Sequence, residues 1–339
     1  VKIPENVVYN GVTFTVTKIG ENTFSNCKVL ESISIPGTVL QIGQNTGVSN
    51  LPFYNCTSLK SVRFEDGASS LVLGSYYRDD RGYNGTGLFS FCPLEEVYIG
   101  RNITYIDGRY PFEKYPQYYG YSAFYNQPKL AKVTISSTVT EIPSCFLKGC
   151  KALNKVSIQG QLIKIPSYSF DGCQLSVLTL SNSIEEIGDY AFQNNTTLTT
   201  ASLGDNVKKI GKYAFSGCTN LSILNLGNSL VTIDDYAFQS IGSDANVGLN
   251  FEVPNTLSVI GKFAFYKSAV SSINIPNSVT TIGESCFAEN TKLEKVTLGN
   301  GCSELPKNVF SGCSLLSSVV LSNGLETISD AAFFGCKVL

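Results

Sequence analysis

Residues 210–226 read IGKYAFSGCTNLSILNL, and the same arrangement begins again at Ile233. Counted from Ile210 as position 0, Phe stands at position 5, Cys or Asn at position 8 and Leu at position 11. Aliphatic residues follow at positions 14, 16 and 20. Self-similarity at a fixed period is the signature of a stacked repeat array. The sequence therefore predicts a solenoid in which each repeat forms one rung.

The opening aliphatic residue recurs along nearly the whole chain and defines about 13 rungs, most of them ~23 residues long. Its positions are Ile19, Ile42, Leu73, Ile106, Ile142, Ile165, Ile187, Ile210, Ile233, Ile260, Ile282, Leu305 and Ile328. Phe recurs in the same way at Phe24, Phe53, Phe89, Phe124, Phe170, Phe192, Phe215, Phe238, Phe265, Phe287, Phe310 and Phe333, and Leu147 replaces it once. We expect these residues to form continuous buried columns.

Each rung is expected to contain one strand and one return segment. The run Leu293–Leu298 ends in an alternating apolar pair, as a strand with one buried face should. Proline or a Gly/Asn turn then ends the strand, as at Ile275-Pro276 and at Leu226-Gly227-Asn228. The Gly-x-x-Ala-Phe-x-x-Cys segment is too short for a long helix, and we predict one helical or 3₁₀ turn there.

The pattern Ile-Gly-x-x-Ala-Phe-x-x-Cys-x-x-Leu-x-x-Val-x-Ile-Pro-x-x-Val resembles the leucine-rich repeat of BspA-like bacterial surface proteins, also called the Treponema pallidum type. The resemblance covers residues 19–339. It implies an α/β leucine-rich-repeat solenoid, a right-handed, β-rich horseshoe with a parallel sheet on the concave side. It also implies export to the cell surface or the medium, and adhesion to host matrix or to other bacteria.

Residues 1–18 do not fit the repeat and are expected to form a separate N-terminal cap. Two β-prone runs flank Asn10-Gly11, which is a strong hairpin signal. A hairpin here would cover the open edge of the solenoid, which terminal caps must do. The predicted organisation is thus a cap at 1–18 and a solenoid at 19–339, whose last rung has no comparable cap.

Composition excludes several classes of function. The chain has 339 residues, a net charge of −2, an estimated pI of about 5.4 and no histidine. There is therefore no basic field for nucleic acid, and no apolar run reaches the ~20 residues of a membrane helix. Without histidine there is no Ser–His–Asp or Cys–His nucleophile and no imidazole metal site. We predict a protein without cofactor, metal or enzymatic activity.

The eleven cysteines are interpreted as structural thiols. Most occupy position 8 of the rung, at Cys27, Cys56, Cys92, Cys150, Cys173, Cys218, Cys313 and Cys336, and Asn195 and Asn290 fill the same position. A buried thiol there would behave as a small hydrophobic residue. Disulfides between the adjacent-rung pairs Cys150/Cys173 and Cys313/Cys336 remain an alternative, because the spacing permits them.

Three consecutive rungs carry insertions at one position, between the opening aliphatic residue and Phe. The extra lengths are 6 residues before Phe53, 11 before Phe89 and 13 before Phe124. Insertions at one position of neighbouring rungs must emerge side by side. Because Tyr and Arg dominate binding hot spots and loop paratopes, we assign a partner-binding site to these insertions. Its residues are Tyr76, Tyr77, Arg78, Arg81, Tyr83, Arg109, Tyr110, Phe112, Tyr115, Tyr118, Tyr119 and Tyr121.

Other interpretations stay open beside this one. The insertions would have no partner if their aromatic residues only packed on one another, and the solenoid would then be a structural spacer that presents another domain. The outward strand positions elsewhere are small and polar, apart from Tyr98. A calcium site at residues 79–85 is poorly supported, because the segment has carboxylates near Gly but lacks the distal Glu of a calcium-binding loop.

The favoured function is a secreted or cell-surface adhesion protein that binds a protein or glycan on a host or microbial surface.

Overall fold

The chain forms two units of stacked rungs, residues 1–162 and 163–339. The computed structural model describes residues 1–44, 51–74, 88–105, 123–245 and 248–339. The first unit contains β1 (Asn6–Tyr9), β2 (Val12–Thr15), β3 (Lys18–Ile19), β4 (Ser32–Ile35), β5 (Gln41–Ile42), β6 (Ser61–Phe64), β7 (Leu71–Leu73), β8 (Glu96–Ile99), β9 (Ile103–Tyr105), β10 (Lys132–Ile135) and β11 (Lys155–Ile158).

The second unit contains β12 (Lys164–Ile165), β13 (Val177–Thr179), β14 (Glu186–Ile187), β15 (Thr200–Ser202), β16 (Lys209–Ile210), β17 (Ile223–Asn225), β18 (Thr232–Ile233), β19 (Val259–Ile260), β20 (Ser272–Ile275), β21 (Thr281–Ile282), β22 (Lys295–Leu298), β23 (Glu304–Leu305), β24 (Ser318–Val320) and β25 (Thr327–Ile328). Among the residues described, no segment is helical.

Parallel sheets run along the stack in both units. In the first unit the longer strands pair in the order β4-β6-β8-β10-β11 and the shorter ones in the order β3-β5-β7-β9. In the second unit β12-β14-β16-β18-β19-β21 form one sheet, and the remaining strands form the groups β13-β15-β17, β20-β22-β24 and β23-β25. This is the repeat fold that the sequence pattern predicts.

Most rungs contribute two strands, where the sequence led us to expect one. The opening aliphatic residue and the residue before it form a short strand of their own, as in β16, which pairs with β14 and β18. Because the rungs repeat at nearly constant length, these two-residue segments fall into register and complete a second ladder. In one rung the register differs by one residue from the sequence assignment, since Tyr105 and not Ile106 aligns with Leu73.

The segment around Phe is a series of tight turns, where we expected a helical or 3₁₀ turn. Its hydrogen bonds do span three residues, as from Ser216 N to Tyr213 O (3.1 Å) and from Cys218 N to Phe215 O (3.2 Å). However, Tyr213 and Gly217 have positive φ angles of 55° and 76°. Two left-handed residues per segment interrupt any helical run, which explains the difference.

The Phe column is confirmed as a continuous buried stack in each unit. In the second unit the rings of Phe192, Phe215 and Phe238 are stacked with centroids 5.2 and 5.3 Å apart, and all three side chains are fully buried. In the first unit Phe53, Phe89 and Phe124 are stacked at 5.0 and 5.3 Å. Offset stacking adds to the hydrophobic contribution of each buried ring.

In most rungs position 8 holds a hydrogen-bond donor and not merely a small hydrophobic residue, although Ile241 occupies it in one rung. Its side chain donates to the backbone carbonyl of the Phe one rung earlier, as from Cys150 Sγ to Phe124 O (3.0 Å). Amide and hydroxyl groups do the same elsewhere, as from Asn195 Nδ2 to Phe170 O (2.8 Å) and from Ser268 Oγ to Phe238 O (2.7 Å). The need for a short donor explains why Cys, Asn and Ser interchange at this position.

Replacing Cys150 with Ala should lower the free energy of unfolding by about 1–3 kcal/mol, because Phe124 O would lose a buried donor. Cys150→Ser keeps a donor of similar size and should lose less. Chemical denaturation of both variants measures the difference. Equal losses for Ala and Ser would show that the donor contributes nothing.

Strands β1 and β2 form the antiparallel hairpin expected around Asn10-Gly11, whose φ angles of 50° and 76° suit a two-residue turn. All eight strand residues are exposed. The edge of β4 is instead paired by the first three residues, since Ile3 N donates to Ser34 O (3.0 Å) and Ser34 N donates to Val1 O (2.9 Å). The cap boundary at residue 18 stays a prediction.

A second aromatic ladder lies at the surface of the second unit. The rings of Tyr168, Tyr190, Tyr213, Tyr236 and Phe263 stack in order with centroids 4.5, 4.9, 4.6 and 4.8 Å apart. All five are half-buried and have positive φ angles between 55° and 59°. Stacking offsets part of the strain of five left-handed aromatic residues. The ring faces within the ladder cover one another, so chiefly the ring edges and hydroxyls face solvent.

Candidate functional site

The twelve residues assigned to the partner-binding site all lie outside the residues that the structure describes. They are Tyr76, Tyr77, Arg78, Arg81, Tyr83, Arg109, Tyr110, Phe112, Tyr115, Tyr118, Tyr119 and Tyr121. Their assignment therefore stays a prediction. What the structure does describe is where each insertion leaves its rung and where it returns.

The ends of the three insertions lie next to one another. The strands that precede them, β5, β7 and β9, are neighbours in one sheet, and Gly74 N donates to Ile42 O (2.7 Å). A Cβ added to Gly43 would lie 3.3 Å from Pro52 and 3.6 Å from Leu88, so the first and second insertions have adjoining ends. At the third, Ala123 N donates to Tyr105 Oη (3.0 Å).

A cavity of about 350 Å³ lies immediately after two of these insertions in the chain. It is lined by Ser90, Phe91, Cys92, Pro93, Tyr125, Asn126, Gln127, Pro128 and Lys129. Gln127 occupies position 8 of its rung, and its Nε2 donates to Phe89 O (3.1 Å) while its Oε1 is buried without a donor. The cavity is at the lower end of the volumes typical of ligand pockets.

Phe91 departs from the pattern of the other rungs. The residue two after the Phe column has a positive φ angle throughout, and it is most often Gly or Asn, as at Asn55 and Asn126. Phe91 has a φ of 59° there, and its side chain is 63 % exposed. Its ring meets Tyr54 edge to face at 5.5 Å. A bulky side chain in the left-handed region is strained, and such outliers cluster at functional sites.

The outward face of the five-stranded sheet carries a second group of binding-type residues. Arg63 and Tyr98 are direct partners on β6 and β8, and the Arg63 guanidinium lies 3.5 Å from the centroid of the Tyr98 ring. Tyr98 Oη donates to Asp66 at 3.1 Å, and Ser136 Oγ donates to it at 2.7 Å. The Ser136 bond is the main reason why the pKa of the Asp66 carboxyl is below its usual range.

Sequence reasoning found Tyr98 but missed Arg63, Asp66 and Phe91. Arg63 alternates with the buried Val62 and Phe64 and was visible as an outward strand residue. Phe91 was visible as an aromatic residue at a position that most other rungs fill with Asn or Gly. The contact between Arg63 and Tyr98 was not visible, because the long second insertion lies between them in the chain.

None of the eleven cysteines forms a disulfide, so neither of the disulfides left open by the sequence is present. Burial raises the pKa of Cys92, Cys150, Cys218 and Cys313 to about 12. These thiols are therefore protonated and unreactive at neutral pH. Within the described ranges no group of three or more acidic or thiol side chains is placed to hold a metal ion. In the same ranges no helix has the length and apolarity to cross a membrane.

Comparison of the folded chain with solved structures supports the repeat fold. A leucine-rich repeat protein from Bacteroides ovatus is 23% identical with a TM-score of 0.65, over 100% of this chain and 85% of that one. The T. pallidum leucine rich repeat protein is 29% identical with a TM-score of 0.43, over 54% and 80%. A leucine rich cell surface protein from Faecalibacterium prausnitzii is 24% identical with a TM-score of 0.43, over 100% and 79%. A comparison with curated proteins finds no match.

A family model gives the decisive similarity. The model of the BspA type leucine rich repeat region, built from six repeat copies, matches residues 10–116, 117–243 and 248–339. The match extends over well more than half of the chain and agrees with the stacked parallel strands of both units. The chain therefore belongs to the BspA-type leucine-rich repeat family.

Proposed function

We propose that the chain is a non-enzymatic, secreted or cell-surface adhesion protein that binds a protein or glycan on a host or microbial surface. Membership of the BspA-type family supports a general role in binding and a surface location. The Tyr/Arg-rich insertions form the contact surface in this proposal. The partner is a surface macromolecule and not a nucleic acid, in keeping with the net charge of −2.

The observation that carries the proposal is the adjacency of the insertion ends. The second and third insertions together hold twelve Tyr, Arg and Phe residues chosen on sequence grounds, and they start from neighbouring strands of one sheet. Segments anchored this close together can present one contiguous surface. Tyr and Arg give contact area at low entropic cost, which suits such a surface.

The test is an array of matrix proteins and glycans probed with three forms of the chain. Wild type should bind at least one component, and deletion of residues 110–121 should weaken that binding by at least about tenfold, as loss of hot-spot residues does. The unfolding midpoint should hardly change, because the Phe column is untouched. Tyr9→Ser is the control, since Tyr9 is 70 % exposed and belongs to the β1–β2 hairpin, not to an insertion.

Two results would contradict this proposal. Wild type that binds no component of the array would argue against adhesion. A deletion variant that binds as well as wild type would remove the insertions from the contact surface.

A further inference from the structure

We propose that the cavity beside Phe91 receives an apolar side chain of the partner protein, with a carboxylate next to it bound by Lys129. This inference deepens the proposed function and rests on it, because it gives the chemistry of a partner that the insertions also contact. It thereby favours a protein over a glycan as the partner. Four observations on described residues carry it.

The first observation is that Phe91 is strained and exposed at once. At the equivalent position Gly or Asn adopts the left-handed conformation with little strain in most other rungs, as at Asn55 and Gly217, and no other described rung has an aromatic residue there. Phe91 adopts it with a φ of 59° and leaves 63 % of its surface in water. The edge-to-face contact with Tyr54 uses only part of the ring, and the rest of it is exposed. A role in contact with a partner would explain it.

The second observation is the chemistry of the cavity wall. Phe91, Tyr125, Pro93 and Pro128 contribute rings and apolar carbon surface on the two neighbouring rungs. A volume of about 350 Å³ is large enough to receive one large side chain. Aromatic and aliphatic side chains buried in such pockets are the usual centres of protein interfaces.

The third observation is an uncompensated positive charge. Lys129 lines the cavity and is exposed, and among the described residues no carboxylate lies within salt-bridge distance of it. Two other lysines of this unit do have a carboxylate partner, Lys60 with Glu95 (3.5 Å) and Lys132 with Glu96 (2.6 Å). A carboxylate of the partner would complement Lys129.

The fourth observation is position. Phe91 follows the second insertion by four residues, and Tyr125 follows the third by three. The cavity therefore adjoins the returning ends of the two insertions assigned to partner binding. Because only a few residues separate the cavity from both insertions along the chain, we include the cavity and the insertions in one interface.

The experiment measures binding of three small probes to the full chain by NMR titration. N-acetylphenylalanine carries a ring and a carboxylate, N-acetylphenylalaninamide carries the ring alone, and acetate carries the carboxylate alone. We expect N-acetylphenylalanine to bind best and acetate not to bind. N-acetylphenylalaninamide should bind about threefold more weakly than N-acetylphenylalanine, because it cannot form the exposed ion pair with Lys129. In the Lys129→Gln variant, N-acetylphenylalanine and N-acetylphenylalaninamide should bind with equal affinity.

The decisive variant is Phe91→Asn, because Asn occupies the same position in other rungs. It should weaken N-acetylphenylalanine binding by at least about tenfold while leaving the unfolding midpoint unchanged or higher, since the strain is relieved. Lys267→Asn is the matched control at the equivalent position of the second unit, with a φ of 55°. It should leave probe binding unchanged.

The outcomes separate this inference from the proposed function. A lower unfolding midpoint for Phe91→Asn would make Phe91 a structural residue and overturn the inference. Unchanged probe binding by Phe91→Asn would overturn it as well, even if wild type binds the surface array and the deletion variant does not. Probe binding that depends on Phe91, together with no surface binding by wild type, would support the cavity and contradict adhesion.

Discussion

Phe215→Ala is expected to lower the free energy of unfolding of the 163–339 unit by about 3–5 kcal/mol, the usual range for a fully buried Phe. Phe215 is 0 % exposed and is stacked on Phe192 and Phe238 at 5.2 and 5.3 Å. Its removal would leave a cavity that interrupts the column, and neighbouring rungs could not close it without losing strand register. Urea denaturation followed by near-ultraviolet circular dichroism measures the effect.

Phe215→Leu is the matched control, because Leu147 occupies the same position in one rung. It fills most of the volume and should lose less than about 1.5 kcal/mol. In the Leu147 rung the adjacent Phe146 meets Phe124 edge to face at 5.3 Å, which supplies a ring to the column there. A loss for Phe215→Ala as small as that for Phe215→Leu would show that the buried ring of Phe215 contributes little to stability.

The second large effect is a loss of stability at alkaline pH. Burial raises the pKa of Cys218 and Cys313 to about 12, whereas a thiol in the unfolded chain titrates near about 8.5. Above pH 8.5 the unfolded state releases protons that the folded state retains, so the free energy of unfolding falls as pH rises towards 12. Between pH 9 and 10 each thiol should remove about 1 kcal/mol, or about 2 kcal/mol for the two.

The measurement is a series of urea denaturations of the 163–339 unit, within the whole chain, at half-unit steps from pH 7 to 10. Cys218→Asn is the control, because Asn195 and Asn290 make the same bond from the same position without titrating. Wild type and variant should have parallel pH dependence below pH 8 and diverge above it. Identical curves up to pH 10 would show that the buried thiol does not contribute.

The columns of the fold could be predicted from the sequence because they depend on the period alone. Any rung of about 23 residues returns Phe and the aliphatic residues to the same place, so one rung such as 210–226 specifies its neighbours. The second ladder could not be predicted from alternation, because two-residue strands such as Lys209–Ile210 are too short to show a period. These two-residue strands form only because equivalent residues of neighbouring rungs are in register and pair with one another.

The function of position 8 could have been predicted from its chemistry. Cys, Asn, Ser and Gln differ in volume and polarity but share a side-chain donor, and Ile241 is the one residue at this position that lacks it. The frequency of cysteine obscured this, because buried cysteine is also a common small hydrophobic residue. Asn195 and Ser268, each bonded to a Phe carbonyl, are the residues that distinguish the two interpretations.

The site assigned to the insertions stays a prediction, and only the positions of the insertion ends can be compared with the structure. The three insertions occur at the same position of their rungs, which predicts that their ends are neighbours. The residues at these ends, Ile42, Gly74 and Tyr105, do lie next to one another. The pairing of Arg63 with Tyr98 depends on the register of strands separated by an insertion, which a sequence pattern does not specify. The strain at Phe91 is inferred from its φ angle, which the sequence does not give. The sequence shows only that Phe stands where several other rungs have Asn.

The surface ladder of Tyr168, Tyr190, Tyr213, Tyr236 and Phe263 gives the second unit an optical signal of its own. Parallel rings 4.5–4.9 Å apart couple their electronic transitions, which should produce near-ultraviolet circular dichroism stronger than that of isolated tyrosines. Because these five rings all lie within residues 163–339, the signal would follow the unfolding of that unit without any added label.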